Sequence, residues 1–274
     1  MKINTIKISL ASLLLLLTIN LTAQEKVTVP LSNPSKPGFL KMGIINGSII
    51  VKGTDGKEVI ISGTKRKEKS YYSGRKTSKN NTQGLKRISN NSLEFSVNEY
   101  DNTVRVQSPP RGTTDFEIQV PKNFSLKLST LNRGEIYVEN VNGVMDISNT
   151  NGKITLKNIS GAVSADALNK DIKVSFVKVT PNTPMAFSSL NGDIDITFPK
   201  DLKADIKVKS DRGEIFTDFD LKAKPSKAKI TKGENSRGEA FNVKIEKWIT
   251  GKINGGGAEI MFKNFNGDVI IRAK

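Results

Sequence analysis

The chain of 274 residues contains no cysteine and no histidine. Without cysteine it has no disulfide framework, no thiol nucleophile and no thiolate ligand for a metal. Without histidine it has no Ser-His-Asp triad and no imidazole that acts as a general base. An enzyme would therefore depend on carboxylates, lysine, arginine, tyrosine or backbone dipoles. The composition predicts a structural or binding protein, with no catalytic residues, bound metal or cofactor.

Long hydrophobic runs are equally scarce, and the one clear example lies at the N-terminus. Lys2 and Lys7 precede an apolar run of 12 residues, Leu10–Leu21, which is followed by small residues up to Ala23. This pattern is typical of a secretory signal peptide, whereas a membrane-spanning helix needs about 20 apolar residues. We expect residues 1–23 to be removed. Residues 24–274 then form one exported domain without a transmembrane segment, in the periplasm or at the cell surface.

The formal net charge of +16 is concentrated in two segments. Lys65–Asn90 contains nine basic residues and one acid, and Leu221–Arg237 contains six basic residues and one acid. Both segments are rich in serine, threonine, asparagine and glycine, which is typical of loops. They are predicted to be basic loop insertions at about 65–90 and 221–237. Two interpretations stay open: solvated loops that keep the protein in solution, or a patch that binds an anionic partner.

The first insertion supplies the candidate residues for binding an anionic ligand. Its basic side chains are accompanied by two tyrosines that could stack on sugar rings. The ligand class is an acidic polysaccharide or lipopolysaccharide, and no motif for specific nucleic-acid binding accompanies the basic residues. The candidate residues are Lys65, Arg66, Lys67, Lys69, Tyr71, Tyr72, Arg75 and Lys76.

The remainder of the chain repeats a short motif, in which Asn-Gly or Arg-Gly-Glu precedes an alternating apolar stretch. The apolar anchors recur every 18 to 22 residues, at Ile136, Ile154, Ile172, Ile194 and Ile215. Alternation with period two predicts strands that bury one face. Asparagine and glycine tolerate the left-handed backbone conformation of sharp turns.

The regular period favours an all-β fold built as a right-handed parallel β-helix, or solenoid, in which equivalent strands of successive coils stack in parallel. Asn-Gly is also the strongest signal for a two-residue hairpin. An antiparallel β-sandwich or meander therefore remains the alternative architecture.

Several of these segments resemble the bacterial putative-adhesin family, whose exported members are frequent in Bacteroidota. The resemblance covers Val27–Lys274 and is clearest in Ile45–Ile49, Leu128–Asn132 and Ser188–Ile194. It implies a β-helical fold, a location in the cell envelope and a non-enzymatic role as an adhesin or scaffold. The family brings no catalytic residues, and the lysine-rich insertion departs from its pattern.

The alternative function is a polysaccharide lyase or hydrolase that works with carboxylates. Asp193 and Asp195 occupy one face of a predicted strand, and paired carboxylates serve as acid and base in glycosidases. A solvated outer face of a repeat protein explains the same pattern. The sequence leaves the oligomeric state open.

Overall fold

The computed structural model describes residues 25–66, 93–225, 229–235, 238–244 and 248–274. Within this part of the chain the regular secondary structure consists of β-strands. The strands are β1 Glu25–Pro30, β2 Gly38–Asn46, β3 Ile49–Thr54, β4 Glu58–Lys65, β5 Ser96–Tyr100, β6 Thr103–Gln107, β7 Thr114–Pro121, β8 Phe124–Asn132, β9 Ile136–Glu139, β10 Asn142–Asn149, β11 Ile154–Ala167, β12 Ile172–Val179, β13 Met185–Asn191, β14 Ile194–Phe198, β15 Ala204–Ser210, β16 Ile215–Thr217, β17 Lys224–Pro225, β18 Lys229–Asn235, β19 Gly238–Lys244, β20 Ile249–Ile253, β21 Ala258–Asn266 and β22 Val269–Ala273.

The strands form two parallel stacks that are joined through the long strand β11. Stack A contains, in spatial order, β6, β2, β8, β10, the second half of β11, β13, β21 and β15. Stack B contains β7, β3, β9, the first half of β11, β12, β14, β22 and β16. The mostly parallel sheet curves into a nearly closed, barrel-like structure. The predicted all-β, parallel arrangement is therefore confirmed, while the right-handed sense of the coil stays a prediction.

One strand of stack A and the next strand of stack B form a rung, and eight rungs lie within the described part of the chain. In spatial order the rungs are β6–β7, β2–β3, β8–β9, β10–β11, β11–β12, β13–β14, β21–β22 and β15–β16, here numbered 1 to 8. The spatial order departs from chain order at both ends. The chain starts on rung 2, passes through rung 1 and returns to rung 3. It later passes from rung 6 to rung 8 and finishes on rung 7.

Among the described residues, antiparallel pairing is limited to the strands that flank these rungs and to one hairpin. β4 and β1 extend stack B beyond rung 1, β5 extends stack A at the same end, and β20 and β17 extend stack A beyond rung 8. The antiparallel alternative therefore describes only the ends. The second basic segment, expected to be a loop, contains β17 and β18, and β18 pairs with β19 as an antiparallel hairpin.

A single aliphatic and aromatic core fills the space between the stacks. Alternate residues of most rung strands are buried, as the period-two pattern predicts. Phe176 stacks on Phe198 within stack B, at 5.0 Å between ring centroids, and Phe187 stacks on Phe262 within stack A, at 5.3 Å. Phe198 meets Phe262 edge to face at 6.5 Å, a contact that joins the two stacks. Such aromatic contacts contribute about 0.5–1.5 kcal/mol each beyond the burial of area.

The turns from stack A to stack B lie one above another and form what we call the turn ridge. An asparagine ladder runs along it, in which each side-chain amide donates to the side-chain oxygen of the preceding rung. The four distances lie between 2.7 and 3.0 Å. The ladder comprises Asn132, Asn151, Asn169, Asn191 and Asn266, from rungs 3 to 7.

A second, largely buried set of side chains links rungs 3, 4, 7 and 8 to the turn carbonyl of a neighbouring rung. The Thr130 hydroxyl donates to the carbonyl of Gly47 at 2.9 Å, and the Asn264 amide donates to that of Gly192 at 2.9 Å. Asn149 and Ser210 make the same contact in rungs 4 and 8. These bonds satisfy buried polar groups that would otherwise cost about 1–3 kcal/mol each.

The glycines of the turn ridge are required chiefly by close stacking rather than by a left-handed backbone. Gly134 and Gly152 do not have a positive φ, unlike Gly47 and Gly267. A Cβ atom on Gly152 would overlap the carbonyl oxygen of Gly134, and one on Gly134 would overlap that of Gly47. The expectation that left-handed tolerance explains the Asn-Gly repeats is therefore wrong at Gly134 and Gly152.

Substitution of Gly152 by alanine is predicted to lower the free energy of unfolding by about 2–3 kcal/mol, because the added methyl group overpacks a backbone contact. Chemical denaturation measures the effect. Gly56→Ala is the matched control, since a Cβ there would meet only the Thr54 hydroxyl at 3.2 Å. Equal stability of the two variants would contradict the stacking explanation.

The segment between β1 and β2 is attached to the β5–β6 turn by two side chains. The Glu99 carboxylate accepts hydrogen bonds from the Ser32 amide at 3.0 Å, from the Ser32 hydroxyl and from the Asn102 amide. The buried Asn102 accepts from the Asn33 amide at 2.7 Å and donates to the Asn33 carbonyl. The Ser32 backbone hydrogen bond is the main reason why the pKa of Glu99 lies below its usual value.

A lowered folded-state pKa means that Glu99 stabilises the protein above the unfolded-state pKa of about 4.5, and that this contribution is lost as the pH falls through the lower, folded-state pKa. We therefore expect Glu99→Gln to lower Tm by about 2–4 °C at pH 7, corresponding to about 1 kcal/mol. The difference should shrink steadily below pH 4.5, as followed by thermal unfolding. Asn98→Ala, on the same strand, is the control; a Glu99→Gln difference that is constant with pH would contradict the assignment.

Candidate functional site

Two of the predicted anion-binding residues lie within the described part of the chain. Lys65 is the last residue of β4 and pairs with Thr114 at the start of β7, and Arg66 follows it. Both side chains are exposed at the rung 1 end of the turn ridge. The other six candidates lie outside the described residues: Lys67, Lys69, Tyr71, Tyr72, Arg75 and Lys76.

The guanidinium of Arg66 is held in a fixed position above the turn ridge. Its Nε atom donates to Asp115 Oδ2 at 2.9 Å, and its Nη2 atom donates to the other oxygen of the same carboxylate. Its Nη1 atom donates to the backbone carbonyl of Arg133 at 2.8 Å. This bidentate arrangement gives geometric specificity that a lysine would lack. Asp115 also accepts the Ser48 amide at 2.9 Å, which connects Arg66 to rung 2.

Arg66 contributes to an open groove of about 480 Å³ that follows the turn ridge, which we call the basic groove. Three further cations, Arg133, Lys153 and Lys170, line it from rungs 3, 4 and 5. Successive rungs of a parallel stack are about 4.8 Å apart. The groove therefore presents cations at close, regular intervals along the axis of the stack.

Acidic side chains offset part of this charge. Glu135 lines the groove, and Lys153 forms an ion pair with Asp171 at 3.4 Å. Asp115 is engaged by Arg66. The basic groove retains an excess of cations over acids, and its ion pairs are exposed to solvent, where such pairs contribute about 0–1 kcal/mol each. The groove can therefore exchange its internal ion pairs for contacts with an external anion at small cost.

Sequence reasoning missed Arg133, Lys153 and Lys170 as members of this site. It used the Arg-Gly-Glu motif, which contains Arg133, only as part of the repeat. The signal that identifies them is alignment of the turns. Lys170 stands where other rungs have a glycine, and Arg133 is an extra residue between Asn132 and Gly134. Basic residues at such positions form a row only once the turns are stacked.

The second basic segment lines a different groove, of about 730 Å³, beside β15 and β20. Four lysines and three acids border it, and Lys252 pairs with Asp205 at 3.0 Å. The Lys252 hydrogen bond lowers the pKa of Asp205. The acids that line this groove nearly balance its lysines, whereas the basic groove is lined by four cations and one acid, Glu135. Its lining therefore favours an anion less than that of the basic groove.

The two candidate carboxylates of the alternative enzyme are both engaged in contacts between rungs. The Asp193 side chain accepts the Asp268 amide at 2.9 Å. Asp195 pairs with Arg272 at 2.7 Å and with Lys173 at 3.9 Å, and the Asp195 hydrogen bond raises the pKa of Arg272. Both acids therefore make contacts between rungs, Asp193 in the turn ridge and Asp195 on stack B.

Neither a metal site nor a spanning helix is found among the residues described. No group of three or more of the acidic residues there is arranged to hold a metal ion. The same residues include no helix with the length and apolar character needed to cross a membrane.

Together the stacked parallel rungs and the turn ridge define an all-β repeat protein with an exposed ridge of polar turns. Residues 126–248 match the family model described as Toastrack DUF4097. The crystal structure of a putative cell adhesion protein from Clostridium sporogenes ATCC 15579 is similar over 92% of this chain and 100% of that chain, with 11% identity and a TM-score of 0.41. No curated protein matches the sequence.

The position of Arg66 gives a direct test of the groove geometry. A double-mutant cycle with Arg66→Ala and Asp115→Ala is expected to give a coupling free energy of about 1 kcal/mol, at the upper end for exposed pairs, because the contact is bidentate. The cycle is measured by chemical denaturation. The control pair is Lys122 with Asp55, a single contact at 2.8 Å whose Asp55 side chain is 87% exposed, and its coupling should be near zero. Equal coupling in both cycles would show that Arg66 is not specially fixed.

Proposed function

We propose that this protein is an exported, non-enzymatic component of the cell envelope that acts in adhesion or as a scaffold, and that it binds an anionic polysaccharide or lipopolysaccharide through the basic groove and the adjoining basic insertion. The observation that carries the proposal is the row of cations along the turn ridge, at one end of which Arg66 is fixed by Asp115. The sequence-based signal peptide supports export, although residues 1–24 lie outside the described structure.

A linear polyanion suits this geometry better than a small anion does. The groove is open along its length and is lined by cations from successive rungs, so that a chain with repeated sulfate or carboxylate groups can contact several of them at once. Contacts with repeated charges add their effects through a high effective concentration. The insertion of Lys65–Asn90 joins the groove at Arg66 and brings seven more basic residues in the sequence. The proposal includes a right-handed sense of the coil, which the regular period of the repeat favours.

Binding of a fluorescent heparin oligosaccharide, as a model sulfated polymer, is expected to be strong at low salt. It should weaken at least tenfold between 50 and 300 mM NaCl, because salt screens exposed charges. The combined substitution of Lys65, Arg66, Lys67 and Lys69 by serine should weaken binding at least tenfold at the lower salt concentration. Fluorescence anisotropy gives both results.

The matched control removes four charges from other parts of the surface, by substituting Lys178, Lys200, Lys203 and Lys274 with serine. If binding follows net charge alone, both variants lose affinity equally, and the proposed site is wrong. The same samples, incubated with uronic-acid polymers, test the enzymatic alternative. Cleavage that is lost in Asp193→Asn would replace the non-enzymatic proposal.

A further inference from the structure

A row of exposed apolar side chains runs along stack A beside the asparagine ladder. Each member lies one residue before the ladder position of its rung, where the parallel register superimposes equivalent residues. Their exposed fractions lie between 37% and 44%. The row, here called the apolar row, consists of Ile45, Leu131, Leu168, Leu190 and Phe265, from rungs 2, 3, 5, 6 and 7, with Thr150 in the rung 4 position.

These side chains point away from the core, on a surface that elsewhere carries charged and hydroxyl groups such as Lys127, Asp146 and Ser188. Six rungs at about 4.8 Å spacing make the row about 24 Å long. Single exposed apolar residues are ordinary, whereas a contiguous row indicates an interaction surface. We therefore expect a binding partner to cover the row.

The adjacent turn ridge has opposite charges in its two halves. Rungs 1 to 5 contribute the cations of the basic groove, Arg66, Arg133, Lys153 and Lys170. Rungs 5 to 8 contribute four acids, in spatial order Asp171, Asp193, Asp268 and Glu214. The carboxylate of each of the first three accepts a hydrogen bond from the backbone amide of the next acid in this order. Asp115 and Glu135 in the basic half and Arg212 in the acidic half are the exceptions. Arg212 lies over the ring of Phe265 at 5.1 Å.

We propose that a second copy of this chain docks on this edge, antiparallel to the first, about a twofold axis between rungs 4 and 5. In this arrangement rung 2 faces rung 7 of the other copy, rung 3 faces rung 6, and rung 4 faces rung 5. The apolar row then pairs Ile45 with Phe265 and Leu131 with Leu190, and places Leu168 opposite Thr150. The same operation sets most of the basic half of each ridge against the acidic half of the other. The like-charge exceptions are Lys170 opposite Lys153 and Glu135 opposite Asp193.

The charge distribution selects this occupant over other partners. A twofold contact requires a self-complementary surface, since each residue pair occurs twice. A ridge that is basic at one end and acidic at the other meets that requirement only in the antiparallel orientation, because a parallel pairing sets like charges together. An apolar partner of another kind would leave the acidic half unpaired.

The apolar row is only about 24 Å long, so we expect a small contact at the lower limit for a specific interface. We therefore expect a reversible dimer with a dissociation constant in the micromolar range. Its cations overlap the basic groove, so a bound polyanion and the second copy compete for Arg66, Arg133 and Lys153.

Disulfide trapping tests the orientation cleanly because the chain has no cysteine of its own. The variant with both Leu131→Cys and Leu190→Cys should form a covalent dimer under mild oxidation at 50 µM protein without polysaccharide. Within one chain the two positions are three rungs apart, about 14 Å, which is too far for a disulfide. The single variants Leu131→Cys and Leu190→Cys should remain monomeric on non-reducing gels. In the antiparallel dimer, position 131 of one copy faces position 190 of the other, so a single variant has no cysteine opposite its own.

Sedimentation velocity on the unmodified protein should show a concentration-dependent dimer. Leu190→Asp should weaken it at least tenfold, because it places a carboxylate in the apolar row. Trapping of a single-cysteine variant as efficiently as the double variant would overturn the antiparallel orientation. A monomer at all concentrations, together with no trapping, would overturn the dimer. Leu190→Asp keeps every cation of the basic groove, so heparin binding by this variant tests the proposed function separately.

Discussion

Close stacking of one turn on the next is the constraint on which the rest of this structure depends. Along the turn ridge the backbone of each rung lies against the carbonyl group of its neighbour, so that Gly134 and Gly152 have no room for a Cβ atom. The same approach brings the buried Thr130 and Asn264 within hydrogen-bonding distance of turn carbonyls. Without that spacing neither the asparagine ladder nor the parallel register could form. The ladder of hydrogen bonds and the packed core therefore reinforce one periodic arrangement.

Periodic stacking also determines what the surface can do. Equivalent turn positions of successive rungs lie about 4.8 Å apart, so that side chains far apart in sequence become neighbours. Arg66 and Arg133 are 67 positions apart, yet the guanidinium of Arg66 contacts the Arg133 carbonyl. A row of cations and a row of apolar residues arise by the same geometry, on adjacent positions of one edge. The functions proposed for this chain therefore depend on rows of aligned side chains.

The sequence predicted the strands, their inward faces and the parallel stacking in the middle of the chain. Ile136, Ile154, Ile172 and Ile194 stack in sequence order, as their regular spacing indicates. The spacing failed at Ile215, which pairs with Val269 rather than with Ile194. Local patterns predict how a rung is built. They do not predict which rungs are adjacent, because the rungs carry similar apolar residues and each could pack on several others. The order at the ends depends on long-range contacts, such as those of Glu99 with the segment before β2, that no local pattern contains.

The candidate site shows the same division between local and long-range information. Charge density alone identified Lys65 and Arg66, whereas Arg133, Lys153 and Lys170 belong to a nearly neutral part of the sequence and become a group only through stacking. Rung exchange at the ends has a further consequence for this surface. Because rung 7 closes between rungs 6 and 8, Asp268 and Phe265 come beside Asp193 and Leu190 although they lie 75 positions away in the chain. The acidic half of the ridge and the apolar row therefore both continue past rung 6, because the C-terminal strands return to the stack.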